Sequence, residues 1–157
     1  PDGRWRLAPQ VLVDDLARHA HEPTEGAART DTDVDTDGSL VLIARRQQRT
    51  LNSQLRDTAA PNARLDAPAL WMHPSDAAAR GIRHGDRALV ESATGATRAD
   101  VVLDDGIRPG CVALPHGWST ARVGALTTGT TDVDPLTGMV LQTGVRVTVT
   151  RASSPAA

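Results

Sequence analysis

Short apolar runs, each closed off by Gly, Pro or Asp, fill the chain from residue 39 onward. The runs at 39–44, 69–73, 87–92, 99–103, 111–114 and 145–150 are rich in Val, Leu and Ala and only a few residues long, which predicts six β-strands. A different period governs the start. Val11, Leu12, Asp15 and Leu16 fall at helical spacing over 9–20, with Pro9 at its head, which predicts a short amphipathic helix. A second helix is predicted over 75–80, because Pro74 stands near its start and Gly81 just past its end. Between the first helix and the first strand, 22–38 is polar and acidic and reads as a linker. The expected organisation is a lead-in over 1–38, a β-domain over 39–151 and a frayed tail over 152–157. Many short strands joined by tight turns predict a small barrel or sandwich.

A local echo sharpens this picture. Gly81-Ile82-Arg83-His84-Gly85-Asp86 returns as Gly106-Ile107-Arg108-Pro109-Gly110-Cys111, and each copy leads into an apolar run. Two ordinary turns sharing letters, or two halves of a barrel related by a pseudo-twofold, both account for it.

Composition narrows the function. The 157 residues are 39% hydrophobic and 23% charged, which fits one globular domain. Phe and Tyr are absent, so Trp5, Trp71 and Trp118 are the only large rings. The net charge of −2 provides no general field for nucleic acid, and any anion site must be local. All 17 basic residues are Arg, a background that makes no single Arg informative by itself. Cys111 is the one cysteine, which excludes an intrachain disulfide or a cysteine cage and fits a reducing, cytoplasmic setting. No apolar run approaches the roughly 20 residues that span a bilayer. A start at Pro1 without a signal pattern reads as a piece of a longer protein.

Two stretches could carry chemistry. Arg45, Arg46, Gln47, Gln48 and Arg49, followed by Thr50, Leu51, Asn52 and Ser53, begin where the first predicted strand ends. Forked guanidinium donors there suit a phosphate, whereas a solvated charged turn is the plainer alternative. His116, Gly117 and Trp118 follow another strand end at Leu114-Pro115. A ring, a glycine and a donor suit a flat heterocycle, and a capped core Trp is the alternative. The stretch 124–138, rich in Gly and Thr, reads as a long loop without obvious structure.

Other chemistries fit poorly. The sequence contains no phosphate-binding P-loop and no GxGxxG fingerprint. His19, His21, His73, His84 and His116 lack zinc-ligand spacing. Asp33, Asp35, Asp37 and Gly38 mimic the opening of a calcium loop, but Ala44 stands where the closing Glu is required. No nucleophile elbow marks a hydrolase.

Four motifs in order resemble the molybdopterin-dinucleotide-binding domain of the dimethyl-sulfoxide-reductase and formate-dehydrogenase family. They are the Arg45-Arg46 run ending in Leu51-Asn52-Ser53; Met72-His73-Pro74-Ser75-Asp76-Ala77 leading to Gly81-Ile82 and Gly85-Asp86; Leu114-Pro115-His116-Gly117-Trp118; and Ala125-Leu126-Thr127 with Asp134-Pro135-Leu136-Thr137-Gly138. The resemblance covers roughly 38–151. It implies a mainly β fold, a six-stranded double-psi β-barrel of the aspartate-decarboxylase-like kind with a few short helices. It further implies that strand-end loops grip one pterin guanine dinucleotide of a molybdenum or tungsten cofactor. Arg45, Arg46, Gln47, Thr50, Leu51, Asn52 and Ser53 match the family's first cofactor loop, and His116, Gly117 and Trp118 the second. Gly124 stands where the family commonly has Asn, and Gln142 near a frequent Lys; both are carried over as cofactor contacts.

On this resemblance the parent is an oxidoreductase, formate dehydrogenase- or nitrate reductase-like, and the isolated chain is inert. The metal's protein ligand and any iron–sulfur cluster belong to other domains of the parent, which are also the expected partners; nucleic acid is not expected, and this chain carries no transmembrane segment. Cys111, on a predicted barrel strand, is a poor metal ligand. Two rivals share the barrel. A substrate-recognition module of an unfoldase ATPase needs neither Arg45-Arg46 nor His116-Gly117-Trp118. A self-processing pyruvoyl decarboxylase would cleave at Gly38-Ser39, a dipeptide that reads here as a turn.

Overall fold

A computed structural model describes residues 8–21, 38–47, 68–134 and 136–152, with Gly3 and Gln54. The acidic linker over 22–37, Thr50 to Ser53, Pro135 and the tail over 153–157 lie outside the described residues. All six predicted strands form: β1 (Leu40–Arg45), β2 (Ala69–Met72), β3 (Arg87–Glu91), β4 (Ala96–Leu103), β5 (Cys111–Pro115) and β6 (Val145–Arg151). The helices are α1 (Gln10–His21) and α2 (Pro74–Ala79). The strands close into a barrel in the order β1-β5-β2-β4-β3-β6. The expected six-stranded double-psi barrel is therefore the fold.

Alternation along the strands builds the core. Leu40 and Leu42 of β1, Leu70 and Met72 of β2, Ala88 and Val90 of β3 and Val112 and Leu114 of β5 point inward and are buried together. With no Phe or Tyr to fill it, the interior is packed by small branched side chains. Met72 is its only thioether.

Two pairs, β1–β5 and β2–β4, run parallel, while β2–β5, β3–β4, β1–β6 and β3–β6 run antiparallel. These directions place the ends of β1, β3 and β5 and the starts of β2, β4 and β6 on one rim. The opposite rim holds the two glycine turns and α2.

α2 begins one residue before the expected 75–80, because Pro74 at the first helical position needs no N–H partner. His73 caps it, its Nδ1 accepting from the Ser75 amide at 3.1 Å. β4 begins at Ala96, earlier than the expected 99. Thr97 and Arg98 look like turn residues, but they pair with Val90 and Leu89 across a hairpin closed by Ser92 N–H to Gly95 O at 2.8 Å.

The echo is half structural. Gly85 and Gly110 occupy equivalent left-handed conformations, with φ of 83° and 81°. Gly81 is left-handed and Gly106 is not, and Ile82 is in the core whereas Ile107 is not. Gly38 is left-handed, with φ of 74°, and its carbonyl accepts from Arg80 at 2.7 Å. At the other end of the barrel chain, the Ala152 amide still donates to Arg87 O at 2.8 Å. None of the helices among the described residues is long and apolar enough to cross a membrane.

Candidate functional site

The two loops singled out in the sequence leave the same rim side by side. In the parallel β1–β5 pair Arg45 lies opposite Pro115, so Arg46 and Gln47 emerge next to His116, Gly117 and Trp118. The loops also touch. The indole N–H of Trp118 donates to Oε1 of Gln47 at 2.8 Å, a contact between residues 71 positions apart. Trp118 is thus half-buried at the rim and committed to the neighbouring loop, which distinguishes it from a capped core ring. Gly117 turns the chain with φ of 84°, a conformation that costs an L-residue roughly 1–2 kcal/mol.

Arg45 takes a position that its sequence context does not reveal. It faces outward from β1, and its guanidinium carbon lies 4.0 Å from the centroid of the Trp71 ring. No motif in the sequence marks Trp71. Its signal was alternation: Leu70 and Met72 point inward, so the large ring between them must face out.

Gly124 and Gln142 reach this rim by topology. Gly124 sits in a short 3-10 turn, Val123–Ala125, held against the β3–β4 hairpin. Ser92 Oγ donates to Leu126 O at 2.8 Å, and the Arg122 amide donates to Thr97 Oγ1 at 3.0 Å. Gly95 permits this approach, since a Cβ there would lie 2.5 Å from Ala125 O. Around Gly124 itself a Cβ would meet nothing within 4 Å, so the backbone there does not itself require glycine. Gln142 lies just before β6, where the Gly144 amide donates to Leu42 O at 2.8 Å and Thr143 Oγ1 accepts from Ala44 at 3.3 Å. Thr50, Leu51, Asn52 and Ser53 lie outside the described residues.

The stretch expected to lack structure is ordered by its own side chains. Thr128 Oγ1 pairs with Thr130 and Thr131, and the Thr128 amide donates to Asp132 at 2.7 Å. Asp134 Oδ1 accepts from the Leu136 and Thr137 amides at 3.0 and 2.7 Å and from the Thr137 hydroxyl at 2.9 Å. The Thr137 amide foremost, then its hydroxyl and the Leu136 amide, holds the Asp134 carboxyl below the ordinary aspartate value of 3.8.

Among the described residues no three His, Cys, Asp or Glu side chains gather to hold a metal. Cys111 opens β5 and so lies on the rim opposite His116. Chemically, the site rim brings two guanidinium groups and an imidazole onto converging strand ends beside the bonded Gln47–Trp118 pair. That donor set suits a diphosphate joined to a flat heterocycle.

Comparison with known proteins agrees. The family model "Molydopterin dinucleotide binding domain" matches residues 40–146. The thiosulfate reductase molybdopterin-containing subunit of Salmonella typhimurium is 34% identical over 95 residues, which are 54% of this chain and 12% of that protein. Trimethylamine-N-oxide reductase of Haemophilus influenzae is 35% identical over 98 residues, 61% of this chain and 11% of that protein. Biotin sulfoxide reductase of Cereibacter sphaeroides is 35% identical over 86 residues, 53% of this chain and 12% of that protein. The chain therefore spans about an eighth of the length of these relatives. Acetylene hydratase from Pelobacter acetylenicus shares the fold, with a TM-score of 0.64 and 18% identity over 78% of this chain and 19% of that one. A match over most of the barrel means that this chain belongs to the molybdopterin dinucleotide binding domain family, whose cofactor is the molybdopterin guanine dinucleotide.

Proposed function

We propose that the rim formed by Arg45–Gln47 and His116–Trp118 grips one pterin guanine dinucleotide within a larger molybdenum or tungsten oxidoreductase. The observation that carries this reading is the Trp118–Gln47 hydrogen bond, which fastens the two loops into one surface beside Arg45 and Arg46. The two guanidinium groups offset the diphosphate charge and offer it forked donors. Gly117 lets the backbone come close to the ligand. Gln47, His116 and the loop over 50–53 supply polar contacts to the heterocycles, with Gly124 and Gln142 bordering them. The cofactor, when bound, supplies the redox chemistry at its metal. The barrel binds and orients it, and the remaining domains of the parent contribute the metal ligand and any iron–sulfur cluster. In this division, 1–38 leads into the barrel and 39–151 is the binding unit.

The finer expectation was a formate dehydrogenase- or nitrate reductase-like parent. Relatives named as reductases of thiosulfate, trimethylamine N-oxide and biotin sulfoxide favour a reductase of oxidised sulfur or nitrogen compounds over a formate dehydrogenase. The partner-module reading has no counterpart for the paired Arg residues and the tied Trp118. The decarboxylase reading requires cleavage at Gly38-Ser39, where the Gly38 carbonyl is bonded to Arg80 and Ser39 is buried at the start of the barrel.

The test is charge reversal in the full-length protein. Arg45→Glu with Arg46→Glu removes two charge-assisted contacts, each worth about 1.5–3 kcal/mol, and weakens cofactor retention on the order of 100-fold or more. Metal analysis and pterin and guanine assays should show the loss while the melting temperature of the barrel holds. Unchanged metal and guanine content would remove this rim from the grip.

A further inference from the structure

We propose that Trp71 is a positioning residue for the cofactor grip. It presents its ring face to Arg45 and so fixes that guanidinium on the outer wall beside the rim, with its in-plane donors left for an anion. This inference rests on the reading that Arg45 belongs to the grip.

Strand register explains how the two side chains meet. β5 lies between β1 and β2, and its Ala113 pairs with Ile43 on one side and with Trp71 on the other. Arg45 is one pleat further toward the rim, on the same outward face as Ile43. Its guanidinium must therefore cross β5 to reach a distance of 4.0 Å from the Trp71 ring. The strand in between makes this possible. Ala113 faces outward between the inward Val112 and Leu114, and its single methyl leaves room for the crossing. Although outward-facing, Ala113 is only 5% exposed, as a residue spanned by neighbouring side chains should be.

A guanidinium stacked on a ring satisfies its face and leaves its N–H edge for an anion, because those donors lie in the guanidinium plane. Without the ring, Arg45 is a long, exposed rotor that must be ordered each time it contacts a phosphate. Ordering one such side chain weakens binding roughly 3- to 10-fold. Trp118 does the corresponding work on the next loop by fixing Gln47. Arg45 and Gln47, at the exit of β1, thus each lean on a tryptophan from another strand or loop.

The test uses the full-length holoenzyme, with the rate at which molybdenum and pterin are lost on dilution as readout and melting temperature as the control for folding. Trp71→Leu should speed loss of the cofactor roughly 3- to 10-fold. Trp71→Phe, which keeps a ring face, should stay near wild type. In an Arg45→Ala background Trp71→Leu should add nothing. Two results overturn the inference while leaving the rim assignment intact: Arg45→Ala speeds loss but Trp71→Leu does not, or Trp71→Leu acts equally with and without Arg45. If Arg45→Ala and the double charge reversal both leave retention unchanged, the grip reading itself fails and this inference with it. Ala113→Leu gives a second route if Trp71→Leu does not fold. It intrudes between the two partners without altering either, and normal retention in that variant counts against the proposal.

Discussion

At the rim where β1 begins, aspartates are turned back on the chain. Asp76 accepts from the Gly110 amide at 2.8 Å, Asp86 from the Arg83 amide at 2.9 Å and Asp104 from the Gly106 amide at 2.9 Å. At the rim where β1 ends, polar side chains lean on rings, Arg45 on Trp71 and Gln47 on Trp118. Both rims are polar and both contain left-handed glycines, yet they do different things. A carboxylate engaged with backbone N–H groups locks a turn and has little left for a ligand. A guanidinium supported from behind by a ring keeps its donors at the surface. Asp134 locks a loop beside the binding end in the same way, so what sets that end apart is its pair of ring-supported side chains.

Matched glycines offer the largest break in this comparison. Gly85 on the structural rim and Gly117 on the binding rim have nearly the same φ, 83° and 84°. Replacing either with Ala should destabilise the protein by roughly 1–2 kcal/mol, read as a lower melting temperature. Only Gly117→Ala should also reduce the cofactor content of the folded fraction. Equal cofactor loss in both variants would erase the distinction between the rims. Asp86→Ala should cost about 1 kcal/mol by leaving the Arg83 amide without its side-chain acceptor and releasing Arg151, which lies 3.1 Å from Asp86. Metal and pterin per folded molecule should not change.

Smaller effects sharpen the comparison further. Gln47→Leu and Trp118→Phe should each weaken cofactor retention. Combined, they should fall short of additivity by about 0.5–1.5 kcal/mol, the worth of their shared hydrogen bond. The smallest effect concerns Asp134. Its folded carboxyl titrates below 3.8, so the stabilisation is complete above that value and disappears as pH falls through the lower, folded one. Hydrogen exchange over residues 134–140, corrected for its intrinsic pH dependence, should show protection persisting below 3.8 and then failing. Asp134→Ala should lack that step and show weak protection throughout.

Strand positions were legible because apolar runs and the turns around them are local facts. The same holds for α2, where Pro74 and Gly81 bracket a buried Ala77. The early start of β4 was hidden because Thr97 and Arg98 become strand residues only by pairing with β3. The side-chain bonds of 128–134 and 136–139 were hidden for a related reason. They run from Thr and Asp side chains to nearby amides, a pattern that leaves no hydrophobic period to read. The binding rim was legible as two motifs, but neither motif could show that Gln47 meets Trp118. Trp71 went unassigned because its partner lies two strands away in the barrel.

By itself, then, the sequence determined six strands, two short helices, the glycines that turn the chain and a family resemblance that pointed to the cofactor. Those depend on side-chain period, on φ permitted only to glycine and on motifs, all of which are properties of short stretches. Tertiary structure decided the circular order β1-β5-β2-β4-β3-β6, and with it which strand ends share a rim. Backbone ladders look alike whatever the residues, so the choice of neighbour is made by long-range packing of one apolar face against another. That closure carries Arg45 across Ala113 to Trp71 and sets Gln47 beside Trp118.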